Sequence, residues 1–486
     1  MHLKKHLSFT ALREALSAQF NQIDDLRQGA KVDYPLHDCL MSGFAMMFFQ
    51  DPSLLCFQQR IQDRMERNNL GTVFNVGTIP KETQMRDVLD WVSPQAIEPV
   101  FPDFLHRLQR GKQLAQYQFI NGMYLVSLDG SQYFSSEKVH CPNCLITESK
   151  NGTLRYHHQI LQPVIVHPDI KQVLPLAPEQ ISNHDGTQKQ DCEINAGKRC
   201  IQKIRKAHPK LKFIITADGL HSKQPFIDEV KKAKMSFILV AKPTDHKVLF
   251  EWVNELTQLG EAGRLELTDS KARRHCYQWV NNVPLNGTKD ADDVNFFQFH
   301  IISKDNKITY KNSWVTDLTV DRSNVVELVK GGRARWKVEN ETFNTLKNQG
   351  YHLEHNFGHG QQNLSFVFFM LNLLAFYVHQ ILELTDRLYH TVRYTKFTSR
   401  KEYFNQLRCT FRIMLFNSWE QMLTHILDPV VYCRPVSDTT VALSFMTVST
   451  IFNSFVPFCH QIPLSYDNLA NKLPPKSHEP VFGRLK

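Results

Sequence analysis

The stretch from Leu364 to Leu384 (LSFVFFMLNLLAFYVHQILEL) leaves a folding chain few options. It is long enough to span a bilayer. Asn372, His379 and Gln380 interrupt it, however, and dense polar sequence lies on both sides, so the reading is a helix buried in a protein core rather than a membrane span. A second apolar run, Val441 to Cys459, is a weaker membrane candidate because Ser, Thr and Asn recur through it. With 486 residues, 42% of them hydrophobic, the chain can bury substantial cores and is expected to fold as two to four structural units.

Residues 1–120 read as helical. Apolar positions recur at helical spacing in FTALREALSAQFNQI, LMSGFAMMFFQ and SLLCFQQRIQDRM, and Pro80 opens KETQMRDVLDWV. Such a region can bind DNA, dimerise or only pack on its neighbour, and the sequence leaves all three open. The period then changes. MYLVSLDG (123–130), QILQPVIVHPD (159–169) and KQVLPLA (171–177) read as strands, followed by a helix over 191–208. The strand LKFIITAD (211–218), a helix over 225–233 and the strand SFILVAK (236–242) complete the series. Three strands followed by helix–strand–helix–strand is the order of a ribonuclease-H-like α/β core, which would occupy 121–243 and 333–384. Between these pieces, 244–332 alternates polar and apolar residues in RLELTD, RHCYQWVN, VNFFQFHIIS and KNSWVTDL, and reads as an inserted antiparallel β-subdomain. A helical C-terminal region is expected over 385–465. The Pro- and Lys-rich end, 466–486, is expected to be disordered.

Two acids stand out in this scheme. Asp129 and Asp218 each end a core strand and each is followed by a glycine that lets the backbone turn away. In a ribonuclease-H-like sheet the two strands are neighbours, so both carboxylates would emerge at one edge. Hard oxygen ligands of this kind suit two-metal cleavage of phosphodiesters. An Asp-Gly pair also serves in ordinary turns. A third acid would come from a helix crossing behind the sheet, within RARWKVENETFNTLK.

LDGSQY (128–133), TADGLHS (216–222) and RARWKVENETFNTLK (333–347) together resemble the three catalytic blocks of insertion-sequence DDE transposases. The likeness is greatest to the superfamily with a Y-R-E-K signature and a β-strand insertion before the final Glu, and it covers about residues 125–375. It implies a catalytic triad of Asp129, Asp218 and Glu339 holding two Mg2+ (or Mn2+) ions, with Arg335 and Lys347 neutralising DNA phosphates. Arg335 and Glu339 match the R-x3-E spacing; Lys347 falls one residue late, and Gly332 stands where the tyrosine would be. Glu341 is a rival third acid, but it lies on the opposite side of a helix from Glu339. The resemblance further implies cleavage at the ends of a mobile element and joining of 3′-hydroxyls to a target. The partners would be double-stranded DNA (terminal inverted repeats and target) and a second copy of the chain. The alternatives are a derivative that binds DNA without cutting, and a ribonuclease-H-like nuclease or resolvase.

A formal charge of +9 suits a polyanionic partner. No Walker loop or dinucleotide fingerprint points to a nucleotide cofactor. Scattered cysteines and a polar N-terminus point to a reducing cytoplasm; the resemblance implies that it is bacterial and that the chain acts on chromosome or plasmid DNA. Cys141-Pro-Asn-Cys144 has the spacing of a zinc knuckle, with His157 and His158 as further ligand candidates; two free thiols are the plainer reading. His352, His355 and His359 fall in a Gly-broken segment that reads as a loop near the active site, touching DNA phosphates. Trp314 and Trp336 are candidates to stack on unpaired bases or to pack in the core. Asp191 and Glu193 sit where a helix dipole favours acids.

Overall fold

The computed structural model describes residues 5–27, 32–62, 68–183 and 190–429. Seven helices come first: α1 (Phe9–Phe20), α2 (Leu36–Phe48), α3 (Leu54–Gln62), α4 (Asn69–Phe74), α5 (Glu82–Asp90), α6 (Pro94–Ile97) and α7 (Val100–Arg110). Their caps follow from local chemistry: the Ser8 hydroxyl accepts from Ala11 N ahead of α1, and the Asn68 side chain accepts from Leu70 N ahead of α4.

Eleven strands form one mixed sheet. They are β1 (Tyr124–Ser136), β2 (Leu145–Glu148), β3 (Leu154–His167), β4 (Ile170–Pro175), β5 (Glu179–Ile181), β6 (Phe213–Ala217), β7 (Ser236–Val240), β8 (Gly263–Thr268), β9 (Arg274–Pro284), β10 (Asp293–Ile302) and β11 (Ile308–Thr316). The main path runs β2-β3-β1-β6-β7-β11-β10-β9-β8, with β4 and β5 also paired to β3. β1 and β3 form a long antiparallel ladder, while β6 lies parallel to both β1 and β7. The parallel joins are made through α8 (Glu193–Ala207) and α9 (Gln224–Lys232), and α10 (Lys247–Gln258) follows β7. β6 is buried along its whole length, as a central parallel strand covered on both faces must be. The architecture is mixed α/β.

One expectation gains detail here and another changes. β8–β11 are antiparallel to one another and extend the main sheet, because β11 pairs antiparallel with β7, Trp314 opposite Val240 and Thr316 opposite Ile238. The alternating pattern predicts the strands, but it carries no information about which edge they join. Asp129 also does not end its strand: β1 continues to Ser136 in register with β3, with a bulge between Gln132 and Phe134.

After β11 come α11 (Val325–Ala334), a wide π-helical turn over Val338–Phe343, and α12 (Asn344–Asn348). The apolar run forms α13 (Leu364–Thr385). Among the described residues it is the one helix long and apolar enough to cross a membrane, and 94% of its most apolar window is buried inside the protein. It packs against α2, α5 and β4, so the N-terminal helices and the sheet share one core around it. Asp90, the last residue of α5, accepts from four backbone amides leading into α13, those of Gln361, Gln362, Asn363 and Leu364, at 2.9–3.0 Å. It thereby satisfies donors that a helix N-terminus leaves open.

α14 (Arg387–Thr395), α15 (Arg400–Ile413) and α16 (Trp419–Leu427) follow, capped by Asp386, Ser399 and Ser418. The described residues all fall within one compact unit. The rest of the expected C-terminal helical region, the Val441–Cys459 run and the 466–486 tail lie outside the described residues.

Candidate acidic site and Cys/His cluster

β1 and β6 lie side by side, which brings Asp129 in β1 close to Asp218, the residue just past β6. The π-helical turn packs on β1, β3 and β4, and just ahead of it, at the end of α11, the Ser127 hydroxyl donates to the Arg335 carbonyl at 2.9 Å. Arg335 Nη1 stands 3.8 Å from Asp129 Oδ2. Burial pushes the Asp129 carboxyl up to about 6, with Arg335 opposing the shift and Glu339, Asp218 and Glu193 adding to it. Four acids and one arginine therefore act on one another here. For Asp218, burial works upward but is outweighed by the hydrogen bond and charge of His221, so its pKa is held below the usual value. His221 Nδ1 lies 3.1 Å from Asp218 Oδ1, and the Leu220 amide donates to the same oxygen at 3.1 Å.

The sequence reading missed Glu193 as part of this group. Burial raises its pKa, His221 counters that, and Asp218 adds to it, while Gln159 donates a hydrogen bond to its carboxylate. Gly130 has a related use that differs from the expected turn. Its φ is not positive, and the space a Cβ would fill is occupied by the Glu193 carboxylate. An Asp-Gly pair facing a helix-first-turn Glu is a signal only once the sheet order is known. Asp191, two residues earlier, instead pairs with Arg199 at 2.5 Å.

The two rivals for the third acid are separated. Glu339 acts on Asp129, whereas Glu341 acts on Lys337, whose ammonium donates to the Ile170 carbonyl at 2.6 Å. Arg335 is buried and faces Asp129 rather than solvent, and its guanidinium lies 4.6 Å from the Trp336 ring centroid. Lys347 pairs with Glu354 at 2.9 Å. The place expected for a tyrosine cannot hold one, because a Cβ at Gly332 would lie 2.6 Å from the Trp314 indole nitrogen. Trp314 is fully buried and stacks on Phe297, which removes it as a base-stacking residue. Trp336 is 45% exposed beside the site.

Cys141, Cys144, His158 and His359 converge in a buried cluster that can bind a metal such as zinc. His157 does not join it. Successive side chains on a strand point to opposite faces, so only one of His157 and His158 can turn toward the knuckle, and it is His158. His359 was expected in a loop that touches DNA phosphates. The loop is present, with Gly358 and Gly360 at φ of 156° and 67°, but the imidazole is buried against Cys144 and His158. Sequence spacing cannot foresee this contact, which closes a separation of 215 positions.

No known family model matches this chain, and no curated protein matches it either.

Proposed function

We propose that the chain is a DNA transposase that cuts phosphodiester bonds at the ends of a mobile element. It would then join the freed 3′-hydroxyls to target DNA by two-metal-ion transesterification. One observation carries this reading: Asp129, Asp218 and Glu339 come from two adjacent strands and the turn that follows α11, and burial, with Glu339 and Asp218 adding to it, raises the Asp129 carboxyl to about 6. Acids that repel in this way are what a divalent cation relieves. Their donor chemistry fits magnesium, which takes oxygen ligands and keeps several of its waters. Bound there, a metal pair would activate the attacking oxygen and stabilise the leaving one.

The chain's own residues have distinct parts in this reading. Asp218 stays ionised through His221. Asp129 would give up its proton to a metal held there, Glu339 would complete the donor set, and Glu193 borders the site as a fourth carboxylate held by Gln159. Arg335 counters the acids until their charge is neutralised, and its fork is then available to a phosphate. The neighbouring β1–β6 pair supports a ribonuclease-H-like core, with the β8–β11 ribbon continuing its sheet. The π-helical turn supports the match to the signature. An i→i+5 turn takes one residue more than an α-turn, so it absorbs the extra residue between Glu339 and Lys347 and keeps the two about two turns apart on one side.

The test is cleavage of DNA carrying the sequences that flank the gene, in magnesium, by the full chain and by Asp218→Ala, Glu339→Ala and Glu341→Ala. Losing one metal-holding acid is expected to remove several kcal/mol of transition-state stabilisation, a rate loss of roughly 10³-fold or more. Glu341→Ala should cut like the parent. Equal cutting by Asp218→Ala and the parent overturns the proposal, and cutting of branched DNA alone replaces it with a resolvase.

A further inference from the structure

The Cys/His cluster lies apart from the acids and stands on its own geometry. We infer that Cys141, Cys144, His158 and His359 hold one structural zinc ion in a closed tetrahedral S2N2 site. Tetrahedral zinc, with Zn–S of about 2.3 Å and Zn–N of about 2.0–2.1 Å, sets ligand-to-ligand edges of about 3.8 Å for S···S, about 3.5 Å for S···N and about 3.3 Å for N···N. The two sulfurs are 3.9 Å apart. His158 Nε2 is 3.5 Å from each sulfur, and His359 Nε2 is 3.5 Å from Cys144 Sγ. The two imidazole nitrogens are 3.1 Å apart, and all four ligand atoms lie within 4.8 Å of one another. Five edges thus fall within about 0.2 Å of the zinc values. The sulfurs are too far apart for a disulfide, whose S–S bond is about 2.05 Å.

The surroundings prepare these atoms for a metal. His359 Nδ1 lies 2.9 Å from the Gly360 carbonyl, so it carries the proton and leaves the Nε2 lone pair aimed into the cluster. The Cys141 amide lies 3.5 Å from Cys144 Sγ and the Cys144 amide donates to the Cys141 carbonyl at 3.1 Å, which closes the knuckle turn. Phe134 and Tyr133 pack on the imidazoles and keep water away. Four protein ligands with none open to solvent mark a structural site, and two thiolates with two imidazoles in a tetrahedron select zinc among common metals.

The placement tells what the ion would hold together. The knuckle follows β1, which carries Asp129. His359 lies in the loop that follows α12 and the Glu339 turn. Asn143 adds a parallel tie, donating to the Gln362 carbonyl at 3.1 Å. Zinc would therefore fasten two segments that lead away from two of the acids, across 215 positions of chain.

The experiment measures metal in the full chain purified without chelator, and the absorption of its cobalt(II)-substituted form. One zinc per chain is expected, with the intense visible bands and sulfur charge transfer of a tetrahedral thiolate site in the cobalt form. His157→Ala should keep the metal. Cys144→Ser and His359→Ala should weaken zinc binding by more than the ~10–100-fold typical of losing a group that only orients a ligand. A cobalt spectrum of the weak octahedral kind in the parent protein overturns the inference without any variant having to fold. So does parent protein that stays metal-free in excess zinc, or His359→Ala that binds as tightly as the parent.

Discussion

Replacing Asp129 with Asn is expected to stabilise the metal-free protein while removing its response to magnesium. Burial, with the nearby acids adding to it and Arg335 opposing, raises this carboxyl from 3.8 to about 6. That is roughly two units at ~1.36 kcal/mol each, or about 3 kcal/mol of destabilisation once the group is fully ionised. Because the folded-state value lies above the unfolded one, the cost is absent below about pH 4 and complete above about pH 6. Asn keeps the shape and an acceptor for the Gly130 amide, which donates to Asp129 Oδ1 at 3.0 Å. Thermal unfolding followed by tryptophan fluorescence gives the readout. At about pH 8 without divalent cations, Asp129→Asn should melt roughly 5 °C higher than the parent, scaling from ~2–4 °C per kcal/mol in smaller domains. Near pH 4 the two should converge. Magnesium should raise the parent's midpoint by mass action and leave the variant nearly unmoved. If Asp129→Asn melts at or below the parent at pH 8, or if magnesium lifts both equally, the account of the acidic group is wrong.

Three further outcomes follow from packing and exposure. Gly332→Ala drives a methyl into the Trp314 indole, so it should cost about 1–3 kcal/mol by overpacking, measurable as a lower midpoint in urea. Asp90→Ala leaves four amides ahead of α13 without their acceptor, and should cost about 2 kcal/mol, the upper end for a lost cap, with faster amide exchange at Gln361–Leu364. Trp336→Ala should change stability by less than about 0.5 kcal/mol. If this half-exposed ring stacks on an unpaired base, the same change should weaken binding of single-stranded DNA by ~1–3 kcal/mol in a fluorescence titration.

The longer strands and the helices from 124 to 240 are readable because local periods and turn residues encode them, whereas β2 and β5, four and three residues long, are too short to show a period and were not expected. The buried fate of Leu364–Leu384 is readable for a related reason: a long apolar stretch has only two environments open to it, and the interruptions at Asn372, His379 and Gln380 favour a protein core. What escapes the sequence is set at long range. Glu193 reads as a helix-dipole acid until Gly130 is seen to make room for its carboxylate. His359 reads as a loop histidine until the loop folds onto Cys144 and His158. Of His157 and His158, strand alternation alone says that one must face away, but not which. The joining of β11 to β7 depends on backbone groups that every strand carries, so no side-chain pattern announces it. The π-helical turn is also silent in composition, although the late position of Lys347 is the kind of irregularity it leaves behind.

The core that closes around α13 has a consequence for how the chain is made. Its outer layers include α2, which leaves the ribosome more than three hundred residues before α13 does. During synthesis at about 5–20 residues per second, the early helices must wait many seconds with their apolar faces uncovered. Any product cut short before Leu364 never receives its central helix. Such fragments should be sticky and quickly degraded, so a gene cut anywhere ahead of the codon for Leu364 should leave no persisting product.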